Sequence, residues 1–210
     1  MRTSSRQVIV LLFDEVELLD FAAPVQVLSI AGRHYNFRPF KIVTTALVAG
    51  PVSTRNQIEV QARCELAACP PAEVLIVPGG YGARRAIDDA SLSGFIATQA
   101  ARAELILTTG YGCLLLARAG VCAGERLAVP AEIEALFREL EPSALTSSED
   151  LVHSGKILSA RDSAGALGLG LKTTQLLLGD KFAAQVASRL GARMPEAASG
   201  ERLQIVKPDG

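Results

Sequence analysis

The stretch Leu105-Ile106-Leu107-Thr108-Thr109-Gly110-Tyr111-Gly112-Cys113-Leu114-Leu115-Leu116-Ala117-Arg118 decides the fold. Residues 105–108 are an apolar run of strand length. Residues 109–112 form a glycine-rich turn, and residues 113–119 read as a helix that Gly120 stops. A buried strand, a tight turn and a helix are the repeating unit of an α/β domain with a parallel sheet.

The same alternation runs outward in both directions. Upstream, residues 74–77 are a strand halted by Pro78-Gly79-Gly80, and Ser91 is placed to cap a helix to Arg102 with Phe95, Ile96 and Gln99 along it. Earlier still, residues 8–13 are a buried-type strand, residues 14–17 a loop, and residues 18–32 a helix carrying Leu19, Ala22, Ala23, Gln26, Val27 and Ile30. Pro24 falls near the first turn of that helix, where proline is tolerated. Residues 40–44 are a second strand, and residues 52–62 a short hairpin around Arg55-Asn56. Downstream, residues 126–129 are a strand and Pro130 opens a helix with an Ile133, Leu136, Phe137 and Leu140 stripe. Residues 151–153 and 156–158 flank a Ser154-Gly155 hairpin signal. A glycine-rich helix covers residues 163–178, and Asp180 is placed to cap a last one with Phe182, Val186 and Leu190. Residues 1–192 therefore read as one domain and residues 193–210 as a mobile C-terminal tail.

Composition narrows the function. At 210 residues, 49% hydrophobic and 20% charged, the chain buries a core and is not a disordered segment. A net charge of -1 supplies no bulk drive toward nucleic acid or anionic membrane, and neither is expected as a partner. Aromatics are scarce at 5% and Trp is absent, which disfavours base-stacking platforms. His34 and His153 are the only histidines, so no metal and no cofactor is expected. The cysteines at 64, 69, 113 and 122 form no C-x-x-C pair. Residues 8–13 are too short for a signal segment, and no run approaches the ~20 apolar residues of a membrane span. The expected compartment is the cytoplasm, with thiols reduced.

In open α/β sheets, ligands bind beyond the carboxyl ends of the strands. Three segments qualify: residues 14–20, 78–85 and 109–113. Asp20 sits in an apolar context at a helix start. It reads either as a carboxylate offsetting the helix dipole or as a buried general acid/base. The Gly79-Gly80-Tyr81-Gly82 turn is either an anion-binding nest or a plain strand-to-helix turn, and Arg84 and Arg85 beside it read as surface charges or ligand contacts. The turn at Thr109-Gly110-Tyr111-Gly112 is where a nucleophile elbow would sit, yet Gly110 has no side chain to attack with.

These segments resemble the ThiJ/PfpI superfamily, and within it the isonitrile hydratase-like branch. The resemblance is carried by residues 11–24 (Leu-Leu-Phe-Asp-Glu-Val-Glu-Leu-Leu-Asp-Phe-Ala-Ala-Pro), residues 75–82 (Leu-Ile-Val-Pro-Gly-Gly-Tyr-Gly), residues 114–120, and residues 155–161 with Ala164-Gly165. It spans nearly everything from Val8 to Leu190 and implies an α/β three-layer sandwich with a mainly parallel sheet, class I glutamine amidotransferase-like or flavodoxin-like. It places Asp20 on the acidic position beside the family nucleophile and Gly79 and Gly80 on the turn whose amides form an oxyanion hole. The family elbow reads Val-Cys-Thr-Gly, so Gly110 stands in place of the cysteine and Tyr111 in place of the threonine. The family's later Thr-His-Trp is replaced by Val129, Pro130 and Ala131. Thiolate-dependent protease, deglycase and hydratase activities lose their nucleophile here.

The resulting expectation is a catalytic Asp20 and Tyr111, with Gly79, Gly80, Gly110, Gly112, Cys113 and Arg161 in substrate binding. Each has a plainer reading: Tyr111 as a lid or dimer contact, Cys113 as a small buried hydrophobe, and Arg161 with Asp162 as an ion pair. The functional expectation is a small-molecule enzyme of acid/base type, performing hydration, dehydration or cyclisation. The alternative is a non-catalytic small-molecule binding or sensor protein of the same fold. A homodimer is what the resemblance implies.

Overall fold

The structure is a computed structural model that describes residues 5–31 and 38–195. Its centre is a seven-stranded sheet in the order β10-β11-β7-β6-β1-β2-β5. The strands are β1 (Arg6–Leu11), β2 (Phe40–Ala46), β5 (Cys64–Glu65), β6 (Val74–Val77), β7 (Leu105–Thr109), β10 (Leu151–Ser154) and β11 (Ile157–Ala160). Every pairing is parallel except β10 with β11. Every residue of β6, β7 and β11 is buried. That is why those segments read as unbroken apolar runs rather than alternating ones.

Helices cover the two faces. On one lie α1 (Leu18–Ile30), α6 (Ala166–Leu178) and α7 (Asp180–Leu190), packed in succession. On the other lie α2 (Ala83–Ala86), α3 (Ala90–Arg102), α4 (Gly112–Arg118) and α5 (Glu134–Leu140). A hairpin of β3 (Gly50–Ser53) and β4 (Glu59–Ala62) stands where the polar Arg55-Asn56 tip places it. The described residues thus form the expected flavodoxin-like α/β sandwich. The expected tail from residue 196 onward, Gly32 and His34 lie outside the described residues. Among the described residues no helix is long and apolar enough to cross a membrane.

Several local expectations need correction. The cap of α3 is Asp89, whose carboxylate accepts from Ser91 N at 2.8 Å and Leu92 N at 3.2 Å. Pro24 lies inside α1 rather than in its first turn. Its missing N–H deprives the Asp20 carbonyl of its i+4 donor. The β10–β11 turn is Gly155-Lys156, because Ser154 pairs with Ile157. Asp180 makes no capping bond and instead accepts from Gln175 Nε2 at 2.8 Å. The helix after Pro130 begins with a 3-10 turn, Ala131–Ile133, and the one after β11 with another, Ser163–Gly165. A short pair, β8 (Arg126–Ala128) with β9 (Leu145–Ser147), lies beside the main sheet; no sequence signal marked β9.

The glycines of α6 serve its crossing with α1. A Cβ at Gly170 would sit 2.7 Å from Val27 Cβ and 3.0 Å from Pro24 Cα. Gly170→Ala is therefore expected to destabilise the protein by about 1–3 kcal/mol of overpacking, despite a helix-propensity gain near ~1 kcal/mol. A urea unfolding midpoint equal to or above that of the unsubstituted chain would show that the helices have room to part.

Candidate functional site

The chain runs outward from β1 to β2 on one side, then returns to β6 on the other. The carboxyl ends of β1 and β6 therefore diverge, and that switch point is where open α/β sheets hold ligands. The loop after β1 carries Glu15 in a left-handed conformation, φ 59°, with its N–H bonded to Ser53 O at 2.8 Å. The loop after β6 lies against it, Glu17 N donating to Gly79 O at 3.0 Å.

Asp20, the third residue of α1, lies under these loops with only 2% of its surface exposed. Its Oδ2 accepts from Gly79 N at 3.0 Å and its Oδ1 from Ser163 Oγ at 2.5 Å. Burial lifts its pKa from the ordinary 3.8 to about 6, against the opposing pull of the Ser163 and Gly79 hydrogen bonds. The negative charges of Glu17 and Asp162 lift it further. The sequence marks Ser163 only as a helix start, and its approach to Asp20 comes with the fold. The available signal was its position just past the carboxyl end of a buried strand.

Gly79 is there because nothing larger fits. A Cβ on it would lie 2.5 Å from Thr109 O, 2.7 Å from Asp20 Oδ2 and 2.9 Å from Tyr111 N. Gly110 is the opposite case. Its φ of +51° is a left-handed turn, and a Cβ there would meet nothing nearer than Arg161 O at 3.8 Å and Asp20 Oδ2 at 3.9 Å. The elbow is built, with room for a Cβ between the Arg161 carbonyl and the Asp20 carboxyl, and glycine occupies it at little conformational cost.

Asp20, Gly79, Gly110 and the half-buried Tyr111 are thus brought together, with Gly80 packed against the Glu15–Glu17 main chain. Other expectations are corrected. The Gly79 amide donates to Asp20, so it is not a free donor for negative charge on a substrate. Gly112 is buried, its Cβ position 2.4 Å from Val77 O, and it serves packing rather than substrate contact. Cys113 is fully buried in the apolar core, and burial pushes its thiol far above the ordinary range. It has no surface to offer a substrate. The Arg161 guanidinium is tied to Ser148 O at 2.5 Å and Asp150 Oδ1 at 2.6 Å, so only its main chain borders the elbow. Asp162 caps the 3-10 turn, accepting from Ala164 N and Gly165 N. Arg85 pairs with Glu15 at the rim, and Arg55 lies over the Tyr81 ring at 5.7 Å. Among the described residues no cluster of three His, Cys, Asp or Glu could hold a metal ion.

A parallel sheet with a glycine-built elbow and a buried carboxyl at its switch point defines a protein class, and comparison with known proteins gives it a name. Residues 6–175 match the DJ-1/PfpI family, and the chain belongs to that family. It is 27% identical over 171 residues to an isonitrile hydratase of Pseudomonas putida, covering 80% of this chain and 71% of that protein. Among solved structures, a ThiJ/PfpI family protein from Pseudomonas syringae superposes with a TM-score of 0.81 at 20% identity, covering 95% of this chain and 80% of that one. An AraC family transcriptional regulator from Pseudomonas putida superposes with a TM-score of 0.79 at 24% identity, covering 88% and 99%. Drosophila melanogaster DJ-1beta gives 0.78 at 21% identity, covering 90% and 100%.

Proposed function

We infer that this chain is a small-molecule enzyme in which Asp20 moves protons and no cysteine attacks the substrate. The observation that carries the reading is the buried Asp20 carboxyl facing the empty side-chain position of Gly110, where the family keeps its thiol. With a pKa of about 6, both protonation states are populated near neutral pH, as general acid/base work requires. The protonated form, polarised by Gly79 N–H and Ser163 Oγ, donates to an unsaturated carbon or heteroatom placed over Gly110. Water then adds, or an internal nucleophile closes a ring, and the carboxylate is left to recover a proton.

The charge around the site favours one sign. Glu17 and Asp162 add negative potential, the Gly79 amide is occupied, and Arg161 is held elsewhere. Such a site stabilises a substrate that gains positive charge in the transition state, not an oxyanion. Protonation of an isonitrile carbon gives a nitrilium cation, and water addition then gives the N-substituted formamide. This chemistry suits the site and matches the name of the Pseudomonas putida relative. Tyr111 supplies a phenol at the same turn, as hydrogen-bond donor or apolar wall. A homodimer in the cytoplasm completes the reading, and sedimentation equilibrium should give twice the 22.1 kDa chain mass.

The test follows alkyl and aryl isonitriles to their formamides by proton NMR across pH. Because the protonated carboxyl is the donor, kcat is expected to fall about tenfold per pH unit above about 6. A rate flat across that range, or one abolished by Cys113→Ala, contradicts the reading. The competing reading, a binding or sensor protein, rests on the missing thiol at Gly110. Ligand recovered unchanged after long incubation, bound equally by Asp20→Asn, would decide for it.

A further inference from the structure

Among the described residues two donors meet the Asp20 carboxyl, one on each oxygen. Gly79 N donates to Oδ2 at 3.0 Å and Ser163 Oγ donates to Oδ1 at 2.5 Å. The two oxygens are not equivalent toward the elbow. Oδ2 lies 3.9 Å from the point a Gly110 Cβ would occupy, and Oδ1 lies beyond 4 Å of it. A proton on Oδ2 therefore stands beside the substrate position, and a proton on Oδ1 stands between Asp20 and Ser163. Ser163 reaches this carboxyl because β11 is registered to the elbow. Ala160 pairs with Thr109 in the sheet, and Gly110 N donates to Ala160 O at 2.9 Å. Just beyond, Asp162 caps the 3-10 turn Ser163–Gly165 and fixes its main chain.

We propose that Ser163 is a positioning residue: by donating to Oδ1 it keeps the acid proton of Asp20 on Oδ2, the oxygen that faces the elbow. The inference rests on the reading of Asp20 as the proton donor. A protonated carboxyl has one O–H and spare lone pairs on both oxygens. Oδ2 can hold the proton on one lone pair while the Gly79 N–H keeps the other, and neither existing bond is disturbed. A proton on Oδ1 would meet the Ser163 hydrogen, and the hydroxyl would have to turn round and accept. Asp20 Oδ1 is the only hydrogen-bond partner of that hydroxyl among the described residues, so nothing there receives its hydrogen once it has turned. The Ser163 bond also draws the Asp20 pKa down, against burial and against Glu17 and Asp162, the charged groups that face it. That is the action of a donor to the ionised form. In the reaction the Oδ2–H bond breaks as hydrogen bonds to the substrate atom over Gly110. The electron pair stays on a carboxylate that keeps both donors, so the site need not rearrange as the charge forms.

Neutron diffraction from a deuterium-exchanged crystal, held below about pH 6, reads the proton without any substrate. Deuterium is expected on Asp20 Oδ2, with the Ser163 O–D directed at Oδ1. In Ser163→Ala the Gly79 amide alone remains and makes Oδ2 the carbonyl oxygen, so deuterium is expected on Oδ1. By carbon-13 NMR the Asp20 midpoint of that variant should rise by about one unit, because the carboxylate has lost a donor. Its kcat at acid pH should nevertheless fall about tenfold, so that more acid gives less turnover. Ser163→Thr keeps the hydroxyl and should restore both the midpoint and the rate. A serine that only held the turn together would lower the rate and leave the midpoint where it was. Should Ser163→Ala fail to fold, the neutron map of the unsubstituted chain still decides. Deuterium on Oδ1 in that chain, or an unmoved midpoint in Ser163→Ala, would overturn the proposal. Deuterium on Oδ2 in a chain that converts no isonitrile would uphold the role of Ser163 and contradict the reaction alone.

Discussion

Asp20→Asn is expected to lower turnover by about 10²- to 10⁴-fold, the range over which a positioned general acid acts. The substitution keeps the side chain's shape. The amide oxygen can still accept from Gly79 N, and the amide NH₂ can donate to Ser163 Oγ, so neither partner is orphaned. What is lost is the transferable proton. A change confined to KM, or one shared by Ser163→Ala to the same extent, would mark Asp20 as a packing group.

The same carboxyl sets a pH dependence of stability with a definite sign. Its folded pKa of about 6 lies above the ordinary 3.8, so between those values the folded chain binds more protons than the unfolded one. Stability from this group is full below about pH 4 and is lost as pH rises to about 6. The loss is on the order of 3 kcal/mol if the whole shift is realised. Asp20→Asn removes that slope, so the variant should be more stable than the unsubstituted chain at pH 8 and close to it at pH 4. Urea unfolding at the two pH values measures both.

The second large effect is a contrast between two glycines of one turn cluster. Gly79→Ala would drive a methyl group into Thr109 O and Tyr111 N, both main chain, and into Asp20 itself. The loops after β6 and β7 would have to part. Loss of about 3 kcal/mol and of the Asp20 hydrogen bond is expected. In Gly110→Cys the new Cβ meets no neighbour closer than 3.8 Å, and the substitution carries the left-handed backbone cost of roughly 1–2 kcal/mol. It should fold, and it should gain an iodoacetamide-reactive thiol that buried Cys113 does not supply. If Gly79→Ala folds normally while Gly110→Cys does not, the geometry assigned to this turn is wrong.

The architecture was legible because buried parallel strands write themselves as short apolar runs, as in residues 74–77 and 105–108, each closed by glycine. Asp20, Gly79 and Gly110 were legible for a related reason: loops at the carboxyl ends of such strands converge. Ser163 was not, since a hydroxyl becomes informative only once folding brings it to a carboxyl that is remote in sequence. Gly112 and Cys113 were placed in the site by nearness to Gly110. The first turn of α4 instead buries both, so two or three residues along the chain are enough to leave the cleft. Arg161 follows a strand end correctly, but its long side chain reaches Asp150. The sequence marks Ser91 as the cap because serine is a suitable type, and only the backbone shows that Asp89 precedes the first helical residue.

The most direct measurement is the titration of Asp20 itself, by carbon-13 NMR of the side-chain carboxyl in the folded chain, with Asp20→Asn used to assign the resonance. A midpoint near 6 is the predicted result. A midpoint at or below the ordinary 3.8 would mean a permanently ionised carboxylate at neutral pH, and the acid/base account would fall.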